Sequence, residues 1–280
     1  MGDLRPIGVF DSGVGGLTVL LELQRVLDRE PTVYLGDLAR CPYGPRPQAE
    51  VRAFAIQVGD YLASLGIKLL VVACNTATAA AYQVLRDRYP FPCVGVVAPG
   101  AAAAARATRN GRIGVVATDG TVASGAYRRA ILECRPDAVV VEHAASWLVP
   151  LIESGPHHDV AIEDRLTAEM TELRRTGIDT LILGCTHFPL VRAIFQRAVG
   201  PDVTLLDSAG TTVMEVARLL REFGLEADGV PGHRVLVTGP AGAFGARAET
   251  MFRTSPAIET VNLSGTVWDA RENNDLMRSS

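Results

Sequence analysis

The constraint that bears hardest on this chain is a short stretch that occurs twice. Residues 69–77 read LLVVACNTA and residues 180–188 read TLILGCTHF. In each, an apolar run rich in branched side chains stops at a cysteine, followed by groups that hydrogen-bond: Asn75 and Thr76 in the first, Thr186 and His187 in the second. Continuous apolar runs of this length suit strands buried on both faces, as in a parallel sheet. The polar end marks where such a strand empties into a loop at a helix start. One copy is a weak signal. Two copies, one in each half of 280 residues, predict two related α/β units.

Around the repeats, strand and helix patterns alternate. Strands are predicted over residues 7–10, 32–35, 68–73 and 93–97, and helices over 17–27, 48–65 and from the Cys74 loop to about Tyr89. The helix over 48–65 places Val51, Phe54, Ala55, Val58, Leu62 and Leu65 at the helical period. At Ala98-Pro99-Gly100 the pattern restarts. RIGVVA over 112–117 echoes PIGVF over 6–10, and the separations from Ile7 to Ile113 and from Cys74 to Cys185 nearly coincide. Strands are predicted again over 138–143 and 203–206, with a helix to about Arg175 between them. Another helix, over 211–223, is expected after an Asp207-Ser208 loop.

The expected fold is therefore α/β, with two similar parallel-sheet domains related by pseudo-twofold symmetry. The first lobe is assigned residues 1–98, with the chain returning to it over 210–280, and the second lobe residues 99–209. Open α/β sheets bind ligands at the carboxyl ends of their strands, so the active site is expected in the interdomain cleft, with both cysteine loops facing it. The polar residues after Trp268 read as a loose tail.

Composition removes several function classes. The formal net charge is −4 and no basic stripe is present, so a nucleic-acid partner has little electrostatic support. No run reaches the roughly 18 apolar residues of a membrane span. The start, MGDLRPIGVF, leads directly into a strand, and a cytoplasmic location is expected. Five cysteines without a CxxC pair fit reduced thiols better than disulfides or a metal site. Lys68, the one lysine, begins the strand that Cys74 ends, roughly 20 Å away at about 3.3 Å per residue. That position argues against a Schiff-base cofactor. The loop from Asp11 to Gly16, with Asp37 further on, imitates a dinucleotide fingerprint, but Thr18 stands where its last glycine belongs. Residues 239–245 (GPAGAFG) also miss that pattern and read as a loop.

A lone cysteine after a strand is most often a small buried hydrophobe. Here the position is duplicated, and each copy is expected at a helix N-terminus, whose partial positive charge lowers a thiol's pKa from about 8.5. Cys41, Cys93 and Cys134 lack that setting and read as structural. Two thiols facing one substrate suit removal of a proton from one face of a carbon and its return to the other, which inverts a stereocentre. Two other readings remain open at this point: a nucleotide-dependent oxidoreductase built on the Asp11 loop, and a two-lobed amino-acid binding module.

FDSGVGGLTVL (residues 10–20), Cys41-Pro42-Tyr43-Gly44, ACNTA (73–77) and GCTHFPL (184–190) closely resemble the bacterial glutamate racemases of the aspartate/glutamate racemase superfamily. The resemblance extends to about Gly224, with a looser match over 209–212. His187 after Cys-Thr favours the glutamate enzyme over its aspartate-specific relatives. The resemblance implies a cofactor-independent and metal-free cytosolic homodimer that supplies D-glutamate for peptidoglycan. It further implies that Cys74 works on the α-proton of D-glutamate and Cys185 on that of L-glutamate. Asp11 would partner Cys74, and His187, supported by Glu153, would partner Cys185. Ser12, Tyr43, Gly44, Asn75, Thr76 and Thr186 match substrate contacts, as do Asp11 and His187, with Thr118 and Thr121 beside them. Asp11 also fits the substrate ammonium or, more plainly, a helix N-cap.

Overall fold

The structure is a computed structural model, described here for residues 2–154 and 160–264. In chain order, the first elements are β1 (Ile7–Asp11), α1 (Leu17–Val26), β2 (Thr32–Gly36), α2 (Gln48–Ser64), β3 (Leu69–Val72), α3 (Asn75–Arg88), β4 (Cys93–Gly95) and α4 (Val97–Ala107). Next come β5 (Arg112–Ala117), α5 (Asp119–Ser124), α6 (Ala126–Cys134), β6 (Val139–Ala144), α7 (Leu148–Ser154), α8 (Val160–Arg175), β7 (Thr180–Gly184), α9 (Arg192–Val199) and β8 (Thr204–Asp207). The last are α10 (Ser208–Phe223), β9 (His233–Val237), α11 (Gly242–Phe252) and β10 (Ile258–Thr260).

The strands form two sheets, ordered β10-β9-β2-β1-β3-β4 and β6-β5-β7-β8, and every pairing is parallel. The run β2-β1-β3-β4 in the first sheet has the same order as β6-β5-β7-β8 in the second. These are the two expected parallel-sheet α/β domains. Each sheet is covered on both faces, which is why its strands read as unbroken apolar runs. The repeat extends to single contacts. A Cβ on Gly8 in β1 would lie 2.7 Å from Ile67 Cδ1, and one on Gly114 in β5 would lie 2.7 Å from Ile178 Cδ1. Glycine at both places lets the isoleucine before the neighbouring strand press against the backbone.

Several elements differ from the sequence reading. The restart at Ala98-Pro99-Gly100 is no break; it lies in the first turn of α4. Proline is tolerated in a first turn, where its missing N–H has no intrahelical partner, and the alanines that follow are strong helix formers. α4 packs on α6, β7 and β8 and on α10, which in turn meets β4, so the two helices join the two sheets. The expected Asp207-Ser208 loop is the start of α10, with the Asp207 carboxylate accepting from the Ala209 N–H at 3.2 Å. The GPAGAFG segment is only partly a loop, because α11 begins at Gly242. After α10 the chain places β9 beside β2, in the first sheet. The polar tail after Trp268 lies outside the described residues.

Lys68 sits at the end of β3 opposite Cys74. It is fully buried, pairs with Glu30 at 2.6 Å and donates to the Asp3 carbonyl at 2.6 Å.

Candidate active site

The loops after β1 and β3 in the first sheet, and after β5 and β7 in the second, converge at the strand carboxyl ends. Cys74 is the N-cap of α3: its backbone is extended and its sulfur accepts the Ala77 N–H at 3.4 Å. The thiol also contacts the Ser12 hydroxyl at 3.9 Å. The expected lowering of this thiol's pKa by the helix start is not what the surroundings produce. Burial pushes it up, the charges of Asp11 and Cys185 add to that, and the Ala77 N–H and Ser12 offset only part.

Cys185 stands at the equivalent strand end but in a different turn. No α-helix starts there; Thr186 and His187 lead into a single 3-10 turn, Phe188–Val191. Its counter-charge comes from a side chain instead. His187 is buried, with Nδ1 3.8 Å from Cys185 Sγ and Nε2 2.8 Å from Glu153 Oε1. Burial alone would pull the imidazole down. The hydrogen bonds to Cys185 and Glu153 and the charges of Cys185 and Asp11 outweigh it, and His187 is pushed up to about 10, a cation at neutral pH.

Both thiols line one cavity of about 310 Å³, at the small end of the range for small-molecule sites. Ser12, Tyr43, Gly44, Asn75, Thr76, Thr118, Thr186 and His187 line it as well. Asp11, Thr121 and Glu153 do not. Asp11 is buried behind the wall, where its carboxylate accepts the Gly13 and Gly16 N–H groups at 3.0 and 3.1 Å and the Thr186 hydroxyl at 3.4 Å. It organises the glycine loop, close to the plain capping reading. Thr121 stands behind Thr118, with the two hydroxyls 2.9 Å apart, and Thr118 meets Thr76 of the other lobe at 3.0 Å. The Tyr43 hydroxyl is committed to Asp37. Asn75 Oδ1 accepts from Tyr127 at 2.7 Å, and its Nδ2 donates to Ser208 at 3.4 Å, leaving one N–H of that amide unused.

The Asp11 loop cannot cradle a phosphate. Two of its N–H groups are spent on Asp11, and a Cβ on Gly15 would lie 2.4 Å from Thr186 Oγ1 and 2.6 Å from His187 Nδ1. Glycine at this position admits the Cys185 loop of the second lobe instead.

The sequence reading missed part of the cavity wall: Pro42 and Pro45 after β2, and Ser146, Trp147, Val149 and Pro150 after β6. The rule that led to the cysteine loops extends to these strands too, since β2 and β6 flank β1 and β5 in equivalent places. Trp147 is held by its N–H to Glu169 at 3.1 Å and by the Arg165 guanidinium, 3.9 Å from the ring centre. A larger cleft of about 720 Å³ lies between Arg40 and Asn262, but its lining includes neither a thiol nor an imidazole. Among the described residues, no cluster of side chains is arranged to hold a metal ion.

Residues 7–216 match the family Asp/Glu/Hydantoin racemase. Over 264 residues the chain is 41% identical to the glutamate racemase of Streptococcus sanguinis, spanning 93% of this chain and all of that one. This chain belongs to the glutamate racemase family. Two solved glutamate racemases share its architecture. Isoform RacE1 from Bacillus anthracis is 39% identical, with a TM-score of 0.90 over 92% of this chain and 98% of its own. The Francisella tularensis enzyme, solved with D-glutamate, is 31% identical, with a TM-score of 0.88 over 94% of this chain and 99% of its own.

Proposed function

We propose that this enzyme interconverts L- and D-glutamate by moving the α-proton between Cys185 and Cys74, without a cofactor. One observation carries the proposal: two thiols from equivalent strand ends of two lobes share one small cavity with a cationic imidazole. The D-glutamate in the Francisella tularensis relative supports the choice of substrate.

For L-glutamate, the Cys185 thiolate takes the α-proton, and the Cys74 thiol delivers its own to the opposite face. The C–H bond breaks toward one sulfur and forms again from the other. His187 supplies positive charge beside Cys185, while burial and Asp11 keep the proton on Cys74 until carbanion charge draws it off. D-Glutamate runs the same steps in reverse. Removing a proton beside a carboxylate piles charge onto an anion. The free N–H of Asn75 and the hydroxyls of Ser12, Thr76 and Thr118 are the groups available to receive it. A well-placed donor contributes about 3–4 kcal/mol to such a transition state.

The lobes that close on the substrate are residues 1–98 with 210–280, and residues 99–209; the pairing of β9 with β2 supports the return crossing. The enzyme acts in the cytoplasm as a homodimer, and its product supplies peptidoglycan. Among the described residues, no helix is long and apolar enough to cross a membrane.

The test is isotope incorporation. In deuterated water, L-glutamate given to the enzyme yields D-glutamate carrying deuterium at Cα, followed by proton NMR. D-Glutamate that retains its original proton throughout overturns the scheme.

A further inference from the structure

Tyr127 belongs to neither cysteine loop, yet it meets both. It sits on α6, fully buried in the core beside the second sheet. A Cβ on Gly184, the residue before Cys185, would lie 2.9 Å from Tyr127 Cε2, so the ring is seated against the end of β7. Its hydroxyl leaves that sheet and donates to Oδ1 of Asn75, the residue after Cys74, at 2.7 Å. One side chain thus reaches from the end of one cysteine strand to the end of the other. Asn75 lines the cavity, and Tyr127 stands behind it.

The Asn75 amide has two ends, and only one is useful here. An N–H turned to the cavity receives a carboxylate, whereas a carbonyl turned there repels it. The two ends are nearly identical in shape, so hydrogen bonds rather than packing choose between them. Ser208 does not choose: its hydroxyl accepts from Nδ2 at 3.4 Å and donates to Oδ1 at 3.5 Å. Tyr127 does. A phenol is a better donor than acceptor, because its oxygen lone pair is shared with the ring, and burial holds this one in its protonated form. Its 2.7 Å separation is that of an O–H···O bond, shorter than the usual 2.9–3.0 Å or so of N–H···O. A proton held against Oδ1 also polarises the amide and strengthens the N–H at its other end.

Resting on the proposed racemisation, we infer that Tyr127 is a positioning residue: its hydroxyl fixes the Asn75 amide oxygen, so that an N–H is left for the reacting carboxylate. Tyr127 itself never touches substrate. The bond joins a helix of the first sheet to a helix of the second, so the amide is correctly turned only when the two cysteine loops are in place.

Tyr127→Phe keeps the ring on Gly184 and removes one oxygen, and Ser208 still reaches Oδ1. The fold is therefore expected to hold, with circular dichroism as the check. In the full-length enzyme, kcat for glutamate is expected to fall about tenfold with KM within about threefold of the parent. The loss falls on kcat because the N–H matters most when carbanion charge reaches the carboxylate. Asn75→Ala, which removes the donor outright, is expected to lose about 10²-fold or more. The double variant separates positioning from a structural role. Added to Asn75→Ala, Tyr127→Phe is expected to lower kcat by less than about twofold further, whereas a structural role lowers it about tenfold in either background. Ser208→Ala is expected to lose less than Tyr127→Phe. Four results overturn the assignment: an unfolded Tyr127→Phe; a kcat in Tyr127→Phe within about twofold of the parent; a loss that persists undiminished beside Asn75→Ala; or a larger loss in Ser208→Ala. Deuterium incorporation by the parent enzyme is read separately. Its failure removes the racemisation, whereas normal incorporation beside a normal Tyr127→Phe removes the Tyr127 assignment alone.

Discussion

Cys74 and Cys185 end equivalent strands, but the two turns that hold them solve the same problem by different means. Cys74 caps a 14-residue helix, takes a backbone N–H and lies near the buried Asp11 carboxylate. Cys185 precedes a four-residue 3-10 turn and leans on an imidazole that Glu153 keeps charged. A sulfur that must give and take protons needs access to both states, and each lobe tilts that balance its own way. The anionic neighbour and burial favour the thiol at Cys74, while the cationic His187 stands beside Cys185. The duplicated sheet supplies position, and the turn chemistry supplies the bias.

The bluntest way to break this comparison is to remove either sulfur. Cys74→Ser and Cys185→Ser are each expected to lose at least about 10³-fold in racemisation with the fold retained, since a hydroxyl is a far weaker acid than a thiol. Polarimetry and circular dichroism measure the two properties, and full activity in Cys185→Ser would end the two-base scheme. His187→Asn tests the asymmetry more finely. The expected loss in kcat/KM is about 10²-fold, equal in both directions because enantiomers have equal free energies. The primary deuterium effect, however, should grow for L-[2-2H]glutamate, whose proton Cys185 removes. Equal isotope effects for both enantiomers would show that His187 serves both sulfurs alike.

Glu153→Gln weakens the support of His187 and is expected to move the high-pH limb of the rate profile downward. The same group makes a stability prediction. His187 holds its proton more tightly folded than unfolded, so its stabilisation is complete below its ordinary pKa of about 6.5 and is lost as pH rises through about 10. Urea unfolding between those limits should show stability declining with pH in the parent and less so in Glu153→Gln. The smallest effects belong to the shared scaffold. Gly8→Ala and Gly114→Ala each press a Cβ onto the flexible end of an isoleucine, and each should destabilise by about 1–2 kcal/mol in urea titrations. A large difference between them would mean that the two sheets are not equivalent supports.

The parallel sheets and the cysteine loops were legible because burial on both faces leaves unbroken apolar runs, and because reactive side chains stood directly at their ends. α4 was hidden by Pro99 and Gly100, which mark a turn in most contexts and here occupy a first helical turn. α11 was hidden by its glycines. At the site, residue type revealed membership but not orientation. Asp11 faces its own loop rather than the cavity, and the Tyr43 hydroxyl turns away to Asp37. Trp147 and Tyr127 carry no local signal. Their places depend on Glu169, Arg165 and Asn75, partners distant in sequence, and no window of a few residues contains that information.

Lys68 has a consequence of a practical kind. The only lysine of the chain is sealed inside and held by Glu30, so no side chain presents a primary amine to solvent. Succinimidyl dyes, aldehyde cross-linkers and lysine acetylation have no surface side chain to modify. The exposed thiol of Cys134 is the natural handle for attaching a label.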